Sequence, residues 1–304
     1  MKTVLSTYLG AAAVAAALLM PAAASSQTAP LEGALKKIAD DGVVVIGHRE
    51  ASIPFSYYDD TKNPVGYSMD LTAAILDRIK AKLGKPDLQI RKLPITSQNR
   101  ISLLQNGTID FECTTTTHNA SREQQVDFSN TFFVIGTRLL ARKSAGIADF
   151  PDLKGQNVVV GAGTTSEILL RKMNVEQGMG MNIISAKDHA ESFLMLSTGR
   201  AKAMMMDDAL LAGERAKTKD ASEFVITGTP QSREAYGCMV RKGDVQLKTL
   251  LDETLAELQT SGKAVGIYDK WFRAPIPPRG LNLDFALSDD MKALFAAPND
   301  KILN

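Results

Sequence analysis

Apolar residues recur along this chain at two alternating periods, one suited to helices and one to strands. "LEGALKKIADDG" sets Leu31, Leu35 and Ile38 on one helical face and ends on Gly42 as a C-terminal cap. "VVVIG" is a short buried strand whose end delivers His48, Arg49 and Glu50. "PFSYYDDTKNPVGY" is turn-rich, punctuated by Asn63-Pro64 and Gly66. "SMDLTAAILDRIKAKLG" is apolar at Leu71, Ala74, Ile75 and Ile79, which predicts an amphipathic helix stopped by Gly84. "LQIRKLPI" alternates as a strand, "SQNRISLLQNG" predicts a short helix ended by Asn106-Gly107, and "TIDFEC" reads as a core strand. Two such crossovers imply a largely parallel sheet flanked by helices.

From about residue 140 the alternation restarts. "NVVVGAG", "NIISA", "AKAMMM" and "EFVIT" read as strands, separated by the helices "TTSEILLRKM", "KDHAESFLMLSTG" and "DDALLAGERAK". "EAYGCMVRKG" follows, then a long helix "VQLKTLLDETLAELQTSG", a second one "VGIYDKWF", and a proline-rich exit at "APIPPRG". The pattern is that of two α/β lobes of similar design.

Polar residues collect where strands hand over to helices. In open α/β sheets ligands bind at that edge, because helix N-termini present free N–H groups and partial positive charge there. The candidates are His48-Arg49, Ser97 with Arg100, "TTTTHNASR" at 114–122, "GTTSE" at 163–167, Asp188-His189 and Asp207-Asp208. Four threonines and an arginine at the end of a core strand are, taken alone, a polar strand terminus entering a turn. The alternative is a small anion held by hydroxyls, backbone N–H groups and a bidentate guanidinium. Six such sites in two lobes point to a cleft between them.

The amino terminus adds a compartment. Lys2 precedes an apolar run from Tyr8 to Met20 and then a cluster of small residues, the layout of a secretory signal peptide over residues 1–24 with cleavage after Ala24. The run is short for a membrane span, and no second hydrophobic stretch follows. Of 35 basic and 34 acidic residues in the 304, the leader removes only Lys2, leaving 34 against 34. A neutral chain gives no case for nucleic acid or an anionic membrane as partner. Two cysteines, Cys113 and Cys238, permit one disulfide in an oxidising compartment; two buried free thiols are the alternative.

Several longer stretches resemble one family. "GHREASIPFSYYD", "PITSQNRISLLQNGTIDFEC", "SREQQVDFS", "GTTSEILL", "ISAKDH", "MMDDALLAGERAK" and "EAYGCMVRKGD" are together similar to periplasmic glutamate/aspartate-binding proteins of bacterial ABC importers. The resemblance spans essentially the whole chain after the leader. It implies an α/β, two-lobed periplasmic binding protein fold (type II) with ligand in the inter-lobe cleft. A discontinuous first lobe would cover residues 28–136 and 236–304, and a second lobe residues 137–235. Cys113 and Cys238 then fall on strands of one lobe, which favours the disulfide. By the same matching, Arg122 clamps an α-carboxylate with help from Thr117 and Thr165, and Asp207 takes the α-ammonium with Thr115. Arg49, Ser97, Arg100 and His189 surround the side-chain carboxylate, with His189 able to add a proton. The family has Gly-Ser-Thr-Thr where this chain has Thr114 to Thr117.

The implied function is capture of L-glutamate or L-aspartate in the periplasm by a monomer and delivery to the permease subunits of an ABC transporter, with no cofactor or metal. The chemistry of the residues agrees, since three arginines against one aspartate suit a ligand with two carboxylates and one ammonium. Enzyme readings are weaker: His48, His118 and His189 lack metal-ligand spacing, and no "GxSxG" elbow occurs. "GAGTTS" has Ser166 where a dinucleotide fingerprint needs its third glycine. The rivals left are a periplasmic dehydratase on the same fold and a binding protein for a neutral amino acid such as glutamine.

Overall fold

A computed structural model describes residues 30–303; the leader read at 1–24 lies outside the described residues. Nine strands form one sheet path: Gln89–Pro94, Val43–His48, Phe111–Glu112, Arg233–Arg241, Val126–Arg142, Ala203–Asp207, Asn157–Gly161 and Asn182–Ala186 in that order, with Phe224–Thr227 also paired to Val126–Arg142. The outer strands on each side pair in parallel, as helical crossovers require. The two central strands, Val126–Arg142 and Arg233–Arg241, run antiparallel to each other.

Val126–Arg142 organises the molecule. Residues up to Gly136 pair with Arg233–Arg241, whereas Thr137 onward pairs with Ala203–Asp207 and Phe224–Thr227. One continuous strand therefore serves a first lobe, built round Val43–His48, and a second, built round Asn157–Gly161. The alternation reading did not single it out as an element. Its burial runs through both faces over most of its length, so the apolar residues do not alternate.

The helices follow their predicted stops. Gly33–Asp41 ends on Gly42 and Tyr67–Leu83 on Gly84, both left-handed at φ 69° and 62°. "VGIYDKWF" is helical as Lys263–Tyr268 and continues as a wider turn, Asp269–Arg273. A further helix, Asp289–Ala296, lies beyond the proline-rich exit and was not anticipated; Ser288 caps it by accepting from Met291 N at 3.2 Å. Phe55, Tyr67, Phe133, Tyr236, Tyr268 and Phe272 pack edge-to-face and stacked in the first lobe, beside the long helix Val245–Thr260. At Gly66, φ is 137° and an added Cβ would lie 2.1 Å from the Phe55 carbonyl oxygen, so only glycine fits. Among the described residues no helix is long and apolar enough to cross a membrane.

The core strand before the threonines is short. "TIDFEC" forms ladder pairs only at Phe111–Glu112, beside Met239 and Val240. Thr114 to Thr117 then run irregularly along the returning strand, with Gly237 N donating to Thr116 O at 3.2 Å and a single bridge between Thr117 and Tyr236. Cys113 and Cys238 are disulfide-bonded across this junction, 125 residues apart in sequence. Closing so long a loop restricts the unfolded chain, and its removal should cost about 3–5 kcal/mol. Denaturant unfolding of the double variant Cys113→Ser/Cys238→Ser should show that loss. An unchanged midpoint would mean the junction is held by packing alone.

Candidate functional site

Six segments converge where the two lobes face each other. Arg49 follows the strand Val43–His48 and donates from its backbone N to Ser56 Oγ at 2.9 Å. Its Nη1 donates to Ser97 Oγ at 3.0 Å and reaches Thr115 Oγ1 at 3.5 Å. Arg100 opens the helix Arg100–Gln105, and its Nη1 donates to the Thr115 carbonyl at 3.1 Å and to the Thr116 hydroxyl. Arg122 sits in a four-residue helix, Ala120–Glu123, capped by Asn119. It donates to the Thr117 carbonyl at 2.8 Å and, across to the second lobe, to the Gly163 carbonyl at 3.4 Å.

These guanidinium groups are 3, 2 and 8% exposed for Arg49, Arg100 and Arg122, far below what is usual for arginine. Their bonds go to hydroxyls and carbonyls rather than to carboxylates. Burial pushes Arg49 down to about 10 and Arg122 down to about 9, with the charge of Arg100 the next cause in each. Burial lowers Arg100 as well, and its Nε has no partner. All three are still charged at neutral pH, and they repel one another. An anion between them relieves both problems at once.

The second lobe supplies hydroxyls, a carboxylate and an imidazole. Thr164 caps the helix Thr165–Glu176, which leaves Thr165 at its first turn facing the cleft. Asp188 caps His189–Ser197 in the same way. His189 Nδ1 lies 3.3 Å from Ser52 Oγ of the first lobe, and its Nε2 has no partner. Burial, then the Arg49 charge, hold its pKa well below 6.5. In the unliganded site these two effects favour the neutral ring over the extra proton that the sequence allows. Asp207 ends the strand Ala203–Asp207, accepting from Thr137 Oγ1 at 3.0 Å and from the Tyr236 hydroxyl. Asp208 accepts from Ala209 N at 2.8 Å at the start of the following helix.

Every sequence-predicted residue reaches this region, although Thr115 turns its hydroxyl toward Arg49. The structure adds two buried acids that the sequence reading missed. Glu112 lies behind Arg100 and accepts from the hydroxyls of Thr114 and Thr116, so Thr116 bridges guanidinium to carboxylate. Glu234 accepts from Thr165 Oγ1 at 3.0 Å and Ser232 Oγ at 2.7 Å. The count of one aspartate against three arginines is thus incomplete: three acids, Glu112, Asp207 and Glu234, stand among the three guanidiniums. Arg49 and Arg100 meet at Thr115, with the hydroxyl-screened Glu112 behind Arg100, while Arg122 lies within electrostatic reach of Glu234 and Asp207, the latter also felt by Arg100.

A two-lobed α/β fold crossed by a shared long strand, with buried charge between the lobes, is an architecture that solute-binding proteins share. Residues 44–274 match bacterial extracellular solute-binding proteins, family 3, and the chain belongs to that family. It is 63% identical over 277 residues to the glutamate/aspartate import solute-binding protein of Salmonella typhimurium, covering 91% of this chain and 92% of the relative. Its identity to the protein of the same description from Escherichia coli is 59% over 294 residues, 96% of this chain and 97% of that one. Among solved structures, an ancestral arginine-binding protein bound to arginine superposes with a TM-score of 0.68 at 30% identity, over 76% of this chain and 98% of that one.

The Asp207 carboxyl gives the unliganded protein a pH signature. Burial, then the nearby Glu234, raise it to about 7, while its ordinary value is 3.8. Between those values the folded state holds a proton that the unfolded chain has released. Stability from this group is therefore full below about pH 4 and declines as pH rises toward 7, by a few kcal/mol in all. Unliganded Asp207→Asn should melt above the wild type at pH 7.5, with the gap shrinking toward pH 4. A gap that does not change with pH would remove the assignment.

Proposed function

We propose that this protein captures L-glutamate or L-aspartate between its lobes and hands it to the membrane permease of an ABC importer. The observation that supports the reading is the set of three buried guanidiniums: Arg49 and Arg100 meeting at Thr115, and Arg122 reaching the Gly163 carbonyl of the second lobe within range of the Asp207 charge. A dicarboxylic amino acid has the matching layout, a distal carboxylate at one end and a carboxylate with an ammonium at the other. Arginine suits both carboxylates because its planar fork makes two parallel hydrogen bonds. Ser97, Thr115, Thr117, Thr165 and the neutral His189 complete the hydrogen-bond shell.

In this reading residues 1–24 are a cleaved leader, the mature chain works as a monomer in the periplasm, and binding is coupled to lobe closure. We read the lobe boundaries at 136/137, beside the point where Val126–Arg142 changes partners, and at 235/236, inside the returning strand Arg233–Arg241. Gly213 supports a close approach of the lobes: an added Cβ would lie 2.3 Å from the Ile53 carbonyl oxygen.

Calorimetric titration with glutamate, aspartate, glutamine and asparagine tests the substrate class. The two acids should bind at least about a hundredfold tighter than the amides, whose NH₂ groups would face arginine donors. Equal affinity for glutamine and glutamate would overturn the two-arginine end of the site. Arg122→Ala should weaken glutamate by about 3–5 kcal/mol, since it leaves a carboxylate desolvated without its fork. Binding within about fivefold of wild type would show that Arg122 is not the clamp.

A further inference from the structure

Glu234 is held only by neutral hydroxyl donors, Thr165, Ser232 and Thr137, with no cation among the described residues bonded to it. It is 4% exposed on the returning strand Arg233–Arg241 and shares Thr137 with Asp207, whose hydroxyl lies 3.0 Å from Asp207 Oδ1 and 3.5 Å from Glu234 Oε1. Ser232 Oγ lies 2.7 Å from the same Thr137 oxygen. Thr137 carries a single proton, so it cannot serve all three neighbours. Four hydroxyls, those of Thr137, Thr165, Ser232 and Tyr236, face two carboxylates whose four oxygens can each accept twice. With both acids ionised the shortfall is in donors and in positive charge, and the proton that burial and Glu234 keep on Asp207 up to about pH 7 meets it only in part. Arg122 is the cation within electrostatic reach of both acids, and its own bonds go to the carbonyls of Thr117 and Gly163.

We propose that Glu234 is a second carboxylate of the ammonium seat, and that with Asp207 it makes a charged α-amino group a condition of binding. The proposal rests on the amino-acid reading given above and adds to it the residue that rejects ligands lacking the ammonium. Such an ammonium brings three N–H donors and one positive charge, the two quantities the network lacks. A dicarboxylate of the same length without it would leave one guanidinium facing two protein carboxylates and a third from the ligand. The neighbouring charges act in the expected directions: Glu234 holds Asp207 up and works against the lowering of Arg122.

The test compares L-glutamate with glutarate, the same five-carbon dicarboxylate without the amino group, by calorimetry on the wild type, Glu234→Gln and Glu234→Asp. Wild type should prefer glutamate by about a hundredfold or more. Glu234→Gln keeps the size, removes the charge and turns one acceptor oxygen into an NH₂ donor, and should reduce that preference at least fivefold, through weaker glutamate and stronger glutarate. Glu234→Asp, which keeps the charge, should stay within fivefold of the wild-type preference. If Glu234→Gln weakens both ligands alike and leaves the preference within fivefold, Glu234 only braces Thr165 and the strand, and the proposal falls. Glu234→Ala, read by the same ratio, replaces Glu234→Gln if that protein does not fold. Failure of the wild type to bind glutamate at all would instead overturn the amino-acid reading itself.

Discussion

Three guanidinium groups buried within reach of one another's charge are the constraint on which the rest of this structure depends. Removing an ion from water costs several kcal/mol even after relaxation, and the cost is recovered only by close pairing and complete hydrogen bonding. Here the protein supplies hydroxyls and carbonyls and holds its acids one residue away. Glu112 reaches Arg100 through the Thr116 hydroxyl, and Asp207 and Glu234 share Thr137. The unliganded site is therefore electrostatically expensive, and a ligand bearing complementary charges relieves it. Affinity and selectivity come from the same stored cost.

Holding that arrangement needs rigid edges, and the fold provides them. Two central strands carry Thr137, Glu234 and Tyr236 between the lobes, so the surroundings of Asp207 and the crossing between the lobes are built from the same backbone. The disulfide ties the threonine segment to the returning strand at the point where ladder pairing stops. Short, capped helices aim Arg122, Thr165 and His189 inward from their first turns, where their side chains are free of the helix's own packing.

Much of this was legible in the amino-acid sequence. Parallel strands and their helices announced themselves through period and through glycine stops at Gly42 and Gly84. Long motifs such as "PITSQNRISLLQNGTIDFEC" carried the family and, with it, the positions of Arg49, Arg100, Arg122 and Asp207. What remained hidden has physical reasons. Val126–Arg142 is buried on both faces, so it lacks the alternation by which a strand is read. Glu112 and Glu234 are single acids within strand-like segments, and nothing local distinguishes them from solvent-facing residues; a question about what balances three buried arginines was the available signal. The neutrality of His189 depends on burial and on Arg49, which is 140 residues away in the chain.

If the proposed site is right, the ligand has a fixed orientation, with one end at Arg122, Asp207 and Glu234 and the other at Arg49 and Arg100. A crystal structure of the protein grown with L-glutamate reads that orientation directly. The α-carboxylate should lie on the Arg122 fork, the ammonium between Asp207 and Glu234, and the distal carboxylate between Arg49 and Arg100. Glutamate bound in the reverse sense, or its ammonium turned away from both acids, would contradict the proposed site.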